Sequence, residues 1–223
     1  MLTERISKLK KMLIEQSLLV ENILELSITG YITKKPENWK QVAALETVVD
    51  RMDNEIDEYC MNLIALHNPE CKNLRMVMAV MKINIDLERM ADLVVKISES
   101  YGFLLYKPVD KPIIKLAEMA KETKKILQNA ISAFIYEDIE LALKIREQDH
   151  FIDRLHDQIF NILISDMKVT VESALHIKRI SQNYERIADL STNIAENTIY
   201  ICRGDILKHS YRFAETGNGE MIR

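Results

Sequence analysis

Glycine is almost missing from the interior of this chain. None falls between Gly30 and Gly102, or between Gly102 and Gly204, and the whole sequence holds five glycines and four prolines. A β-rich fold turns every few residues, and glycine and proline supply the backbone geometry for most turns. A chain with so few of them is confined to long helices joined at a handful of points. The 223 residues fit one large domain or two small ones.

The breakers cut the sequence into six helical segments. The first is expected over about 3–29, stopping at Gly30. The second starts after Lys35-Pro36, where proline suits a first helical turn, and ends near His67-Asn68-Pro69. A third covers about 71–101 and stops at Gly102, followed by a linker-like stretch over 102–112 with two prolines. The fourth, fifth and sixth are expected over about 113–136, 138–166 and 171–203, the last ending at Gly204. Periodicity agrees. Val42, Leu45, Val49, Met52, Ile56, Tyr59 and Leu63 recur in steps of three and four, as do Leu141, Ile145, Ile152, Leu155, Ile159 and Ile162, with Gln148 the one polar interruption. Such steps lay an apolar stripe along one face of a helix, and long helices with such a seam pack side by side in bundles.

The two halves repeat. Glu88-Arg-Met-Ala-Asp92 matches Glu185-Arg-Ile-Ala-Asp189 at an offset of 97, and the match extends to Leu93/Leu190, Ile97/Ile194 and Glu99/Glu196. A weaker match joins Val49-Asp50-Arg51-Met52 to Ile152-Asp153-Arg154-Leu155. A period this long implies duplication of a whole three-helix unit. The expected fold is therefore all-α, two tandem three-helix bundles of six long helices related by internal duplication. The first repeat is placed at 1–105, the second at 106–207, and a mobile tail at 208–223.

Bulk properties exclude several classes. The net charge is −4, from 30 basic and 34 acidic residues, which carries no nucleic-acid bias. Lys8, Lys10 and Lys11 make too short a run for a basic arm and read as a solvated helix face. No apolar stretch approaches the ~20 residues that span a bilayer, and the charged N-terminus has no signal-peptide core. A cytoplasmic location is expected. Cys60, Cys71 and Cys202 form no Cys-x-x-Cys pair and fit reduced thiols. Met76, Met78 and Met81 read as adaptable core packing. No phosphate loop, nucleophile elbow or zinc spacing is present, so no enzyme activity is expected.

The chemistry sits in four acidic pairs at i, i+4: Glu46/Asp50, Glu88/Asp92, Asp149/Asp153 and Glu185/Asp189. That spacing puts both carboxylates on one helix face, where like charges repel. In an antiparallel hairpin, residues equidistant from the turn lie side by side. Glu46 and Asp92 are equidistant from Pro69, as are Asp50 and Glu88; Asp149 and Asp189, and Asp153 and Glu185, are equidistant from Val169. Four carboxylates should converge in each repeat, with Asp53 and Asp57 extending the first stripe and Glu99 and Glu196 lying two turns beyond. Converging carboxylates call for counter-charge, and Mg, Ca, Mn or iron would supply it through oxygen ligands. The alternative is a solvated acidic face neutralised by Arg51, Arg89, Arg154 and Arg186. A di-iron enzyme is the rival with chemistry. It needs Glu-x-x-His on two helices, yet Glu147-x-x-His150 occurs once, with Asp153-x-x-His156 a variant on the same helix. Of the five histidines, His156 stands apart because it shares the face of Asp149 and Asp153.

Residues 87–99 and 184–196, with the closing segment 200–209, resemble the duplicated signature and final segment of the PhoU family of phosphate-uptake regulators. The resemblance covers roughly 1–210. It implies a pair of three-helix bundles that acts as a negative regulator of the phosphate-starvation response. Its partners would be the cytoplasmic side of the phosphate ABC transporter and a sensor histidine kinase, with a homodimer also open and with membrane contact only through partners. An adaptor for another anion transporter is the runner-up. It further implies multinuclear metal clusters, iron first and Mg, Mn or Zn as other candidates, held at Glu46, Asp50, Glu88, Asp92, Asp149, Asp153, Glu185 and Asp189. The chain departs from the family in having Ala91 and Ala188 where glycine is frequent, and Leu190 where histidine often follows the second-signature aspartate.

Overall fold

The computed structural model describes residues 2–107, 109–165 and 169–204. It contains six helices: α1 (Leu2–Ile32), α2 (Glu37–His67), α3 (Cys71–Leu104), α4 (Asp110–Tyr136), α5 (Ile139–Ser165) and α6 (Val171–Arg203). There is no strand among the described residues. Helices α1, α2 and α3 pack on one another as the first bundle, and α4, α5 and α6 as the second. The expected tail at 208–223 lies outside the described residues.

Helix ends follow local chemistry where the chain must turn. Asn68 closes α2 and Glu137 closes α4, both left-handed at φ 42° and 52°. Gly204 caps α6 at φ 81°, the conformation that glycine adopts without a Cβ penalty. Thr170 opens α6 by accepting a hydrogen bond from the Ser173 amide at 3.2 Å.

Two expected stops are wrong. Helix α1 runs through Gly30 to Ile32, and α3 runs through Gly102 to Leu104, which shortens the expected linker over 102–112 to a few residues before α4. Gly30 makes room for a neighbouring side chain rather than ending its helix. The indole of Trp39 lies between Gly30 and Gly102 and donates from Nε1 to the Ser27 carbonyl at 3.1 Å. A Cβ on Gly30 would stand 2.7 Å from Trp39 Nε1, and one on Gly102 would stand 3.5 Å from Trp39 Cζ3. Glycine in a helix interior costs about 1 kcal/mol against alanine, and at Gly30 the close approach of the indole accounts for it, whereas at Gly102 a Cβ would make an ordinary van der Waals contact.

The buried positions reproduce the duplication. In α1, Leu13, Gln16, Ser17, Val20, Ile23, Leu24 and Ser27 have buried counterparts 103 positions on, from Leu116 to Ala130. The same offset takes Val42, Val49 and Ile56 to Ile145, Ile152 and Ile159. Across α3 and α6 the offset is 97, taking Ile83, Leu87, Ala91 and Ile97 to Ile180, Tyr184, Ala188 and Ile194. The change from 103 to 97 falls at the hairpin tips. The second hairpin is shorter by about three residues on each arm, so its cross-hairpin register survives.

One continuous apolar core joins the repeats, with α3 packed along α6. The two run antiparallel. Arg75 Nε donates to the Ile201 carbonyl near one end at 3.3 Å, and Arg179 meets Glu99 near the other at 3.3 Å. The buried Tyr101 and Tyr184 hydroxyls share a hydrogen bond at 3.1 Å. Equivalent helices packed antiparallel generate a pseudo-two-fold axis, and the fully buried Ala91 and Ala188 lie near it. Their methyl side chains allow close helix approach, so alanine replaces glycine there without disturbing the fold. Away from the axis, Glu137 in the α4–α5 turn receives Lys10 of α1 and Lys72 of α3, a polar clamp between the repeats.

Candidate metal centre

The apolar stripe of α2 (Val49, Ile56, Cys60, Leu63) faces the core, and the adjoining edge of the helix carries the acids. Across the hairpin, α3 buries Ile83, Leu87, Met90 and Val94 and places Glu88 and Asp92 on the same open edge. Hairpin α5–α6 repeats the arrangement with Ile152, Leu155 and Ile159 opposite Ile180, Tyr184 and Ile187.

In each repeat the expected carboxylates lie within electrostatic reach of one another. In the first, partial burial raises Glu46 above the ordinary glutamate value. The neighbouring Asp50 and Asp92 charges add to the shift, as does a side-chain hydrogen bond with Asp92. Glu88 is raised by burial and then by Asp92, Asp53 and Asp50. In the second, burial pushes Asp149 up to about 6, reinforced by Asp189, Asp153 and Glu185. Asp189 is raised by burial, then by Glu185 and Asp153. Each set of four therefore shares one patch of field, and the shifts have one physical origin: partly desolvated like charges.

Each set also has a fifth member. Asp53 couples to Glu88 and is raised by burial, then by Asp57 and Asp50. The 103 offset carries Asp53 to His156, whose Nδ1 lies 3.4 Å from Glu185 Oε2. Asp53 Oδ1, Asp149 Oδ1 and His156 Nδ1 are buried without a hydrogen-bond partner. The sequence singled out Asp53 and His156 separately. Their equivalence continues the match of Val49-Asp50-Arg51-Met52 to Ile152-Asp153-Arg154-Leu155 by one residue. Asp57 is engaged elsewhere, accepting from Asn84 Nδ2 at 3.2 Å, and Glu99 pairs with Arg179.

Arginine neutralisation, the rival expectation, is confined to a small electrostatic effect of Arg89 on Glu88 and of Arg186 on Asp189. Among the described residues, Arg51, Arg89, Arg154 and Arg186 form no ion pair with the cluster acids, and Arg154 lies over the Phe151 ring at 5.5 Å. The basic side chains in contact with the cluster acids are Lys96 with Asp92 at 3.5 Å, His150 with Asp153 at 3.7 Å and His156 with Glu185 at 3.4 Å. The di-iron alternative is not assembled either. Glu147 and His150 are exposed, and α6 presents no matching Glu-x-x-His.

The donor chemistry fits a hard cation: clustered oxygen ligands, mutual repulsion, and buried lone pairs with nothing to accept from. No three His, Cys, Asp or Glu side chains among the described residues stand close enough to hold one ion.

The PhoU domain model matches residues 13–101 and 116–198, one copy per repeat. The Thermotoga maritima phosphate-specific transport system accessory protein PhoU homolog 1 is 31% identical over 204 residues, 90% of this chain and 88% of that protein. The Aquifex aeolicus phosphate-specific transport system accessory protein PhoU homolog is 30% identical over 214 residues, 94% and 96% of the two chains. The crystal structure of PhoU from Pseudomonas aeruginosa superposes with a TM-score of 0.87 at 25% identity, covering 92% of this chain and all of that one. The duplicated signature, the doubled three-helix architecture and a domain match over each repeat lead to one conclusion: this chain belongs to the PhoU family.

Proposed function

We propose that this protein is a regulatory accessory of a phosphate ABC transporter. It acts at the cytoplasmic side, restrains the phosphate-starvation response when phosphate is plentiful, and does so by linking the transporter to a sensor histidine kinase. The observation that carries the reading is the near full-length match, through both repeats, to relatives named as phosphate-specific transport system accessory proteins. No helix of the described residues is long and apolar enough to cross a membrane, which suits a partner that reaches the bilayer through other proteins.

In this reading the acidic hairpins each hold a carboxylate-bound metal cluster, iron foremost. Glu46, Asp50, Glu88 and Asp92 would serve the first, assisted by Asp53; Asp149, Asp153, Glu185 and Asp189 would serve the second, assisted by His156. The metal would relieve the carboxylate repulsion and stiffen each hairpin. What supports it is the pair of partly buried acid clusters and their unpartnered oxygens.

The test is alkaline phosphatase output, in phosphate-rich medium, from a host lacking its own PhoU. Expression of this chain should restore repression. Sustained high output with soluble protein present, and no change in phosphate regulation after deletion of the gene in its native host, would overturn the reading and favour an adaptor of another anion transporter.

A further inference from the structure

The pseudo-two-fold axis emerges in a groove of about 290 Å³ between α3 and α6. Its charged lining is Arg89, Asp92 and Lys96 from α3, and Arg186 and Asp189 from α6. Its apolar lining is Leu93 and Leu190. Apart from Lys96 these are equivalent pairs at the 97 offset, so the duplicated signature meets its own copy here. The groove shares Asp92 and Asp189 with the two acidic clusters but sets three cations against these two carboxylates.

The arginines are the unusual members. Arg89 and Arg186 lie near enough to Glu88 and Asp189 to lower their proton affinity slightly. Among the described residues, neither forms a hydrogen bond or an ion pair within 4 Å. Lys96 reaches Asp92 at 3.5 Å and offsets that carboxylate. A guanidinium presents five donors in a fixed fork matched to a planar or tetrahedral oxyanion, and bidentate contacts of this kind are short and strong. Two such forks from symmetry-equivalent positions line one groove, beside an apolar lining that weakens screening.

We propose that this groove binds a small tetrahedral oxyanion of the phosphate or sulfate type, clamped by Arg89 and Arg186 with Lys96 assisting. Size and charge select that class. The groove has room for one such ion and its retained water. Asp92 and Asp189 on its wall repel the extended run of carboxylates that an acidic peptide would bring, whereas a compact anion between the arginines meets cations on both sides. The inference rests on the two arginines and the groove alone, and stands apart from the regulator reading.

The experiment is equilibrium dialysis of the full chain against radiolabelled inorganic phosphate, at low salt and with chelator present, with sulfate as competitor. The expected result is saturable uptake of one phosphate per chain with a Kd near about 1 mM. Arg89→Gln or Arg186→Gln should weaken it about tenfold, the double variant should abolish it, and Arg154→Gln should leave it unchanged. Sulfate that competes equally identifies a general oxyanion site; sulfate that fails to compete identifies a phosphate-selective one. A second measurement needs no variant: phosphate should protect Arg89 and Arg186 of the wild-type protein from phenylglyoxal, mapped by mass spectrometry. No saturable uptake, uptake that survives the double substitution, or arginines modified equally with and without phosphate would each overturn the proposal.

Discussion

The two repeats share a frame and differ in how they fill it. In the first, the end of the bundle is occupied by Trp39, seated against Gly30 and Gly102. In the second, the positions equivalent to Trp39 and Gly30 are Ala142 and Ala133, both fully buried. One large ring with room cleared around it has been exchanged for small side chains on helices that approach without it. The acidic hairpins differ in the same manner. The first is all carboxylate, with Asp53 as its fifth member. The second has His156 there and carries the most strongly raised carboxyl, Asp149. Duplication preserved the scaffold because the core requires a matching pattern of buried volume. It left the filling and the ligands free to diverge in compensating sets.

The sharpest way to break the comparison is to make the first repeat resemble the second. Trp39→Ala should lower the unfolding free energy by about 3 kcal/mol through lost burial and the space left behind, read by urea denaturation. Gly30→Ala alone should cost about 1–3 kcal/mol, because its Cβ would meet the indole. In the Trp39→Ala background the same substitution should cost nothing or stabilise, since alanine is the better helix residue. Additive losses in the double variant would mean that Gly30 has a role unrelated to Trp39.

A second change addresses the hairpins. An imidazole among carboxylates favours Zn or iron over Mg or Mn relative to an all-oxygen set. His156→Asp should therefore shift the second hairpin toward the metal preference of the first, while Asp53→His should do the reverse. Metal content of the purified variants after exposure to equal Zn and Mn would read this. Preferences unaltered by either exchange would remove these two residues from the ligand sets.

The smallest effect is a difference in pH response in chelated protein. Asp149 has a folded-state pKa of about 6 against an ordinary value of 3.8. Between those values the folded state binds more protons than the unfolded state, so this group makes stability fall as pH rises from about 4 to about 6. Glu46, Asp53 and Glu88 act in the same direction. Half-exposure of these groups keeps each contribution modest. Melting temperatures across that window should decline for the wild type. Asp149→Asn should flatten the decline more than Glu46→Gln does. Equal flattening would show that the two hairpins are electrostatically alike.

Much of this was open to sequence reading. Scarce glycine, steps of three and four, and the Glu-Arg-x-Ala-Asp duplication determine six helices in two units, because burial on a helix imposes a 3.6-residue period wherever it occurs. The cross-hairpin pairing of Glu46 with Asp92 and of Asp149 with Asp189 also followed, since an antiparallel hairpin sets register by distance from its turn. Gly30 and Gly102 read as stops in one dimension because a glycine that ends a helix and one that lies within it, as Gly30 does to clear space for a distant ring, look the same there. Only the tertiary structure decided that α3 and α6 run antiparallel and that Arg89 and Arg186 share a groove. Those facts depend on how two helices of separate repeats pack, and such packing is a property of assembled surfaces, which no local pattern encodes.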